Sequence, residues 1–160
     1  MKIIAVLGTG SGCGKTTVAC HILREIPGLG AVKISPREGA SRVEWGGGAP
    51  GKDTDLYAGS GAVRVARIVG PREAVGAAWE LIKDQFAGCQ GVVIEGASAL
   101  AITGDRFVIF VVGDTQNDKR EERNRIIAAN STVIIDRSSH SGSESLIDKI
   151  RVFLASSANE

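Results

Sequence analysis

The sequence predicts an α/β protein: an open, mostly parallel sheet with helices on both faces, in a three-layer α/β/α arrangement. Three observations indicate this class. Short apolar runs alternate along the chain with segments whose apolar residues recur at helical spacing. Apolar residues make up 43% of the chain and aromatic residues only 4%, which indicates the aliphatic core of a parallel sheet. The first apolar run also leads through a glycine-rich turn into a helical segment.

Length and composition narrow the class of protein. The 160 residues suit a single domain, residues 1–160, with a sizeable core. The 19 basic and 18 acidic residues form no basic stripe, so nucleic acid is not a predicted partner. No apolar run is long enough for a membrane span, and the first is too short for a signal peptide, so no membrane association is predicted. Cys13, Cys20 and Cys89 lack metal-ligand spacing and are expected to be reduced, in a cytoplasmic protein.

The first part of the chain predicts two strands and two helices around a long polar segment. Apolar runs indicate strands at Ile3–Leu7 and Leu29–Ser35, and helical spacing indicates a helix over Val18–Ile26. Residues 36–52 are polar and glycine-rich, and a loop of this length in a compact domain is usually functional. We therefore expect a mobile segment beside the ligand, followed by a short helix over residues 53–62.

The rest of the chain repeats the alternation of strands and helices. The predicted strands are Val63–Val69, Gly91–Gly96, Phe107–Gly113 and Thr132–Asp136. The predicted helices are residues 71–86, residues 121–130 and a last helix capped by Ser141 or Ser143. In the helix over 71–86, helical spacing predicts core positions at Ala74, Ala78, Leu81, Ile82 and Phe86. In the last helix the predicted apolar face is Leu146, Ile150, Phe153 and Leu154.

The turn after the first strand carries the strongest chemical signal. Its glycines let the backbone curl so that N–H groups point inward, and the next helix adds its own N-terminal N–H donors. This is the context of a phosphate-binding loop, in which Lys15 reaches the β- and γ-phosphates and the Thr16 hydroxyl binds Mg²⁺. The residues expected to bind the nucleotide are Gly10, Ser11, Gly12, Cys13, Gly14, Lys15, Thr16 and Thr17.

The loop departs from the strict pattern Gly-x-x-x-x-Gly-Lys-Thr at one position. Thr9 stands where the first glycine belongs, and the glycine comes one residue earlier, at Gly8. In this respect residues 8–17 resemble the loop of dethiobiotin synthetase and of the cobyrinic acid amidating synthetases. Both belong to the SIMIBI class of P-loop proteins, which also includes the molybdopterin-guanine dinucleotide accessory proteins. The resemblance implies nucleoside triphosphate binding with Mg²⁺.

Three further residues are predicted at the edge of the sheet where ligands bind, the carboxyl ends of the strands. Glu95 ends a buried strand with no cationic partner apparent in the sequence, and a metal ion would offset the cost of burying it. Asp53 follows the polar segment as a metal ligand or as a simple helix cap, with Asp55 as the alternative acid. Lys33 ends the second strand, as a site residue or as a surface lysine.

Resemblance assigns roles to these residues. Residues 52–62 look like the Asp-Ser/Thr…Ala-Gly-Ala segment of the molybdopterin-guanine dinucleotide accessory proteins, and residues 91–97 resemble Val-Glu-Gly segments of both families. The resemblance implies that Lys15, Asp53 and Lys33 are catalytic and that Thr16, Asp53 and Glu95 hold Mg²⁺. The guanine-reading motif Asn-Lys-x-Asp is absent from the last strand end, where Asp136 is a guanine acceptor or a surface carboxylate, so the sequence predicts ATP or GTP.

These observations support three hypotheses of function. The first is a protein similar to the molybdopterin-guanine dinucleotide accessory proteins, which binds Mg²⁺ and a purine nucleoside triphosphate and hydrolyses it slowly. It would serve cofactor biosynthesis together with a partner enzyme, as a homodimer. The second is an ATP-dependent ligase similar to dethiobiotin synthetase, which activates a carboxylate. The third is a nucleotide-gated interaction module with negligible turnover.

Overall fold

The computed structural model describes residues 1–113, 121–136 and 143–156, and in them a seven-stranded sheet with five α-helices. The strands are β1 (Lys2–Gly8), β2 (Leu29–Pro36), β3 (Arg42–Trp45), β4 (Arg64–Gly70), β5 (Gly91–Glu95), β6 (Asp105–Val112) and β7 (Val133–Asp136). The α-helices are α1 (Lys15–Glu25), α2 (Asp53–Gly59), α3 (Val75–Ile82), α4 (Glu121–Ala129) and α5 (Ser143–Ala155). Short 3₁₀ helices cover Arg72–Ala74, Lys83–Phe86 and Ala97–Ala101.

The strand order places one crevice at the centre of the sheet. The order is β3-β4-β2-β5-β1-β6-β7, and every neighbouring pair is parallel except β3 with β4. β1 lies between β5 and β6. After β1 the chain first forms the strands on the β5 side of the sheet, and it later forms β6 and β7 on the other side. Ligands of open α/β sheets bind at such a switch point, beyond the carboxyl ends of the strands. The predicted mostly parallel α/β sheet is confirmed.

Two aliphatic cores cover the two faces of the sheet. Alternate residues of β1 divide between them: Ile3, Ala5 and Leu7 join one core, and Ile4 and Val6 join the other. The first core is completed by α3, α4 and the 3₁₀ helix Ala97–Ala101. The second is completed by α1, α5 and the Tyr57 ring of α2. β1 is therefore buried on both sides, as its uninterrupted apolar run predicts.

The polar segment 36–52 is not a continuous loop. It contains β3, which pairs antiparallel with β4 and forms one edge of the sheet. The half-buried Val43 packs against the first core, and the Trp45 ring lies 5.9 Å from the Phe86 ring between centroids. The expectation of a loop was wrong. A strand of four residues is too short to show a pattern in the sequence, and the glycines around it indicate a loop.

The helix predicted over 71–86 is divided, and its buried face differs from the prediction. Two 3₁₀ turns flank α3, and the buried face of α3 consists of Val75, Ala78, Trp79 and Ile82. Leu81 is 85% exposed and Trp79 is 1% exposed, so the assignment of Leu81 to the core was wrong. Ala78, Ile82 and Phe86 are buried as predicted.

The last helix agrees with its predicted pattern. α5 begins at Ser143, whereas Ser141 lies outside the described residues. Leu146 and Ile150 are buried in the second core, and Phe153 and Leu154 pack partly against it. None of the helices in the described part of the chain combines the length and the apolar character needed to cross a bilayer.

Candidate functional site

The glycine-rich loop connects the carboxyl end of β1 to the first residue of α1. Gly12 and Gly14 have φ angles of 75° and 101°, in the left-handed region that glycine adopts most readily. Gly14 is the residue directly before α1, and its carbonyl accepts the first helical hydrogen bond, from Val18 N–H at 3.1 Å. The backbone therefore curls between strand and helix as the sequence predicts.

The displaced glycine has a physical explanation. A Cβ on Gly8 would collide with Cys13 Sγ and lie 2.9 Å from the Val111 carbonyl oxygen, so no larger residue fits there. Thr9 instead joins the loop to β6: its N–H donates to Val111 O at 3.1 Å, and its hydroxyl accepts from Gly113 N–H at 3.2 Å. Glycine is thus needed at position 8, and a hydroxyl is useful at position 9.

Lys15 lies over its own loop. Its ammonium group donates to Gly10 O at 2.5 Å and contacts Cys13 Sγ at 3.4 Å. Cys13 is 2% exposed and packs beneath the loop, which agrees with a small core residue; all three cysteines are free. Burial raises the pKa of the Cys13 thiol, but a Gly10 backbone hydrogen bond and the Lys15 charge together bring that pKa below its usual value.

Lys33 and Glu95 form an ion pair that the sequence does not reveal. The register of β2 with β5 places them side by side, and Lys33 Nζ contacts Glu95 Oε1 and lies 2.7 Å from Asp53 Oδ2. Glu95 therefore has a cationic partner that is not apparent in the sequence. Lys33 also lies inside β2, three residues before its end, and not at the strand end as predicted. Burial lowers the pKa of Lys33, but the charges of Glu95 and Asp53 raise it above its usual value.

Thr16 joins the loop to both acids. Its hydroxyl oxygen lies 2.9 Å from Glu95 Oε2 and 3.2 Å from Asp53 Oδ1, so one hydroxyl hydrogen is shared between two carboxylates. Burial raises the pKa of Asp53, but hydrogen bonds from Lys33 and Thr16 bring it below its usual value. The alternative acid, Asp55, accepts a hydrogen bond from Gly51 N–H at 2.8 Å.

Lys33, Glu95, Asp53 and Thr16 form a polar cluster. Tyr57 completes this cluster and was not predicted from the sequence. Its hydroxyl donates to Glu95 Oε2, and its side chain is 1% exposed. Burial and the negative charge of Glu95 raise the pKa of Tyr57 far above its usual value. Asp53 and Tyr57 are four residues apart, so α2 presents both from one face. That spacing is the signal by which the sequence could have revealed Tyr57.

Arg123 of α4 contacts the first residues of the loop, Gly8 and Thr9. Its Nη2 lies 3.4 Å from the carbonyl oxygens of Gly8 and Thr9 and 2.9 Å from Asn124 Oδ1. No local pattern marks this arginine, because it reaches the loop from more than a hundred residues away along the chain.

Two further positions, Gly96 and Asp136, follow or end strands at the same edge of the sheet. A Cβ on Gly96 would lie 2.9 Å from Ile34 Cβ, so the backbone after Glu95 packs too closely against β2 for a side chain. Asp136 ends β7, at the same edge of the sheet as the loop. The residues that follow it, 137–142, lie outside the described part of the chain.

Most of the predicted site residues line one pocket of about 350 Å³. The loop and the cluster meet there, so their side chains can contact one ligand. The lining residues are Ser11, Gly12, Gly14, Lys15, Thr16, Thr17, Lys33, Asp53 and Glu95. Of the predicted nucleotide-binding residues, Gly10 and Cys13 are not on this surface.

The donor set of the pocket suits a hard cation. Thr16, Asp53 and Glu95 bring three oxygen-bearing side chains together, and Mg²⁺ at nucleotide phosphates commonly takes one or two carboxylates while keeping several waters. Within residues 1–113, 121–136 and 143–156, no group of three or more His, Cys, Asp and Glu side chains is arranged to hold a metal by itself.

Comparison of the chain with protein-family models, with curated proteins and with solved structures finds no match.

Proposed function

We propose that the protein binds a purine nucleoside triphosphate with Mg²⁺ and hydrolyses it slowly. One observation carries this proposal: Lys15 and Thr16 of the glycine-rich loop share a pocket with Lys33, Asp53 and Glu95. A curled loop ahead of a helix offers N–H donors to phosphate oxygens. The two acids and the hydroxyl supply oxygen ligands beside those phosphates.

The charges of the pocket and of a triphosphate explain why nucleotide binding would need a metal ion. Lys15 and Lys33 balance Asp53 and Glu95, so the pocket has no net charge of its own among these four groups. A triphosphate brings several negative charges into this pocket, close to two carboxylates. A divalent cation between the acids and the phosphates converts that repulsion into attraction.

Each side chain then has a defined task. The Thr16 hydroxyl, Asp53 and Glu95 would hold Mg²⁺, which supplies neutralisation of the phosphate charge. Lys33 and Tyr57 fix the Glu95 carboxylate through its two oxygens. Asp53 is more exposed than Glu95, with 39% of its side chain accessible, and would orient a water molecule. Positioning and electrostatic stabilisation are the main contributions in phosphoryl transfer.

The link to cofactor biosynthesis rests on resemblance. Residues 8–17, 52–62 and 91–97 resemble segments of the molybdopterin-guanine dinucleotide accessory proteins or of dethiobiotin synthetase. All three segments border the pocket or contribute residues to it. This supports a protein of the SIMIBI class that serves a biosynthetic enzyme.

Phosphate release tests the proposal. With Mg²⁺ and ATP or GTP, we expect slow release, lowered roughly tenfold or more by Asp53→Asn, because the variant loses a charged oxygen next to Thr16. Asp55→Asn is the matched control, since Asp55 contacts Gly51 N–H instead of the pocket. Equal rates for the two variants would contradict the role of Asp53. Nucleotide binding without any release would favour a gated interaction module.

A further inference from the structure

A second pocket adjoins the first. It has a volume of about 380 Å³, in the range of sites for small molecules. Lys33 and Asp53 line both pockets and form the wall between them. The remaining lining includes Ser35 of β2, Arg37 after it, Glu44 of β3, Arg67 of β4 and Lys52 before α2.

Both acids of the second pocket are already paired. Asp53 Oδ2 lies 2.7 Å from Lys33 Nζ. Glu44 is bound by two arginines, at 2.9 Å from Arg42 Nε and at 3.4 Å from Arg67 Nη1. Arg67 Nε also donates to Ser35 Oγ at 2.9 Å, which fixes its guanidinium group against the wall of the pocket. The acidic side chains therefore leave no net negative charge in the pocket.

Two of its cations have no such partner. In the described part of the chain, the side chains of Arg37 and Lys52 make neither an ion pair nor a hydrogen bond. Their backbones are nevertheless held, since Arg37 N–H donates to Gly70 O at 2.9 Å and Lys52 N–H donates to Ala49 O at 3.1 Å. Two exposed positive charges thus border a pocket of small-molecule size without an ion-pair partner among the described residues.

We propose that this pocket binds a second, small ligand with two negative charges, a dicarboxylate or a phosphate monoester, held by Arg37 and Lys52. Arginine binds either oxyanion through two parallel hydrogen bonds, and lysine adds a point charge. One end of the ligand would lie at Lys33, beside the phosphates of the proposed nucleotide. Its role as a second substrate or effector rests on the proposed function, whereas anion binding by the pocket does not.

Titration calorimetry on a Lys15→Ala variant tests the proposal, because that change removes the competing phosphate site in the loop. The probes are succinate and inorganic phosphate, which distinguish the two classes of oxyanion. We expect at least one of them to bind at millimolar concentration or below. Adding Arg37→Ala and Lys52→Ala should weaken that binding roughly tenfold or more, because two charged contacts are lost.

A control pair of substitutions distinguishes the loss of contacts in the pocket from the loss of net positive charge. Arg72→Ala with Lys149→Ala removes two exposed cations that line neither pocket, and should leave the affinity for the probe within about twofold. If neither probe binds, or if both pairs of substitutions weaken binding equally, the proposal is overturned. Titration of the wild-type protein with Mg²⁺-nucleotide tests the proposed function separately, so that the failure of one claim is distinguishable from the failure of the other.

Discussion

At the scale of single residues, Glu95 is the centre of the site. Its side chain is 1% exposed, and an unpaired carboxylate at that depth would carry a large cost in solvation energy. Lys33, Tyr57 and Thr16 offset the cost with one ion pair and two hydroxyl contacts. The cluster is therefore assembled by the protein itself, and a cation would join an existing arrangement of oxygen atoms.

Tyr57→Phe tests how strongly the cluster depends on these contacts. The change keeps the buried ring and removes the hydrogen bond to Glu95 Oε2. We expect a loss of about 2 kcal/mol in the free energy of unfolding, because the bond is made to a charged group. Urea denaturation of both proteins measures the loss. A difference below about 0.5 kcal/mol would show that Glu95 does not need this donor.

The raised pKa values of Lys33 and Tyr57 predict a loss of stability in alkali. Both groups hold their protons more tightly in the folded state than in the unfolded chain. The stabilisation they contribute is complete below their ordinary pKa values and is lost as the pH rises above about 10. Denaturation midpoints between pH 8 and 11 should fall for the wild type and fall less steeply for Tyr57→Phe. Parallel profiles would contradict the assignment.

At the scale of elements, the loop depends on its close packing against β6. Glycine is required at position 8, since a Cβ there would meet Cys13 Sγ and the Val111 carbonyl oxygen. The same packing explains why Cys13 is buried although it belongs to a loop.

Gly8→Ala should therefore displace the loop. We expect a loss of about 1–3 kcal/mol in the free energy of unfolding, together with weaker nucleotide binding. Gly59→Ala is the control, because a Cβ at that position meets nothing within 4 Å. Adding Cys13→Ala removes one of the two obstructing atoms and should restore part of the stability. Unchanged stability in Gly8→Ala would show that the loop tolerates a side chain there.

The sequence predicted the elements better than their pairing. Long apolar runs and helical spacing identify most strands and helices, because burial imposes a period on the residues of each. The four-residue β3 is too short for such a pattern, and the face predicted for the third helix included Leu81 where α3 buries Val75 and Trp79. Most of the predicted site residues do lie together at the carboxyl edge of the parallel strands. The partners of Glu95 were not predicted, since they depend on the register of β2 with β5 and on the packing of α2.

At the scale of the whole molecule, the fold concentrates charge at one edge of the sheet. β1 ends between β5 and β6, and its loop, Lys33 and α2 meet at that end. Side chains far apart in the chain thereby share two adjoining pockets. We propose that the first of these pockets binds the phosphates of a nucleotide.

Titration calorimetry with Mg²⁺-ATP and Mg²⁺-GTP, on the wild type and on Lys15→Ala, measures this nucleotide binding. The wild type should bind at least one of the two nucleotides, and Lys15→Ala should lose that binding while keeping the melting temperature. Little stability should be lost, because the partly buried Lys15 side chain belongs to neither core and gives up only its contacts to Gly10 O and Cys13 Sγ. Lys149→Ala, on an exposed face of α5, should bind as the wild type does. A wild type that binds neither nucleotide, or a Lys15→Ala variant with unchanged affinity, would contradict the account.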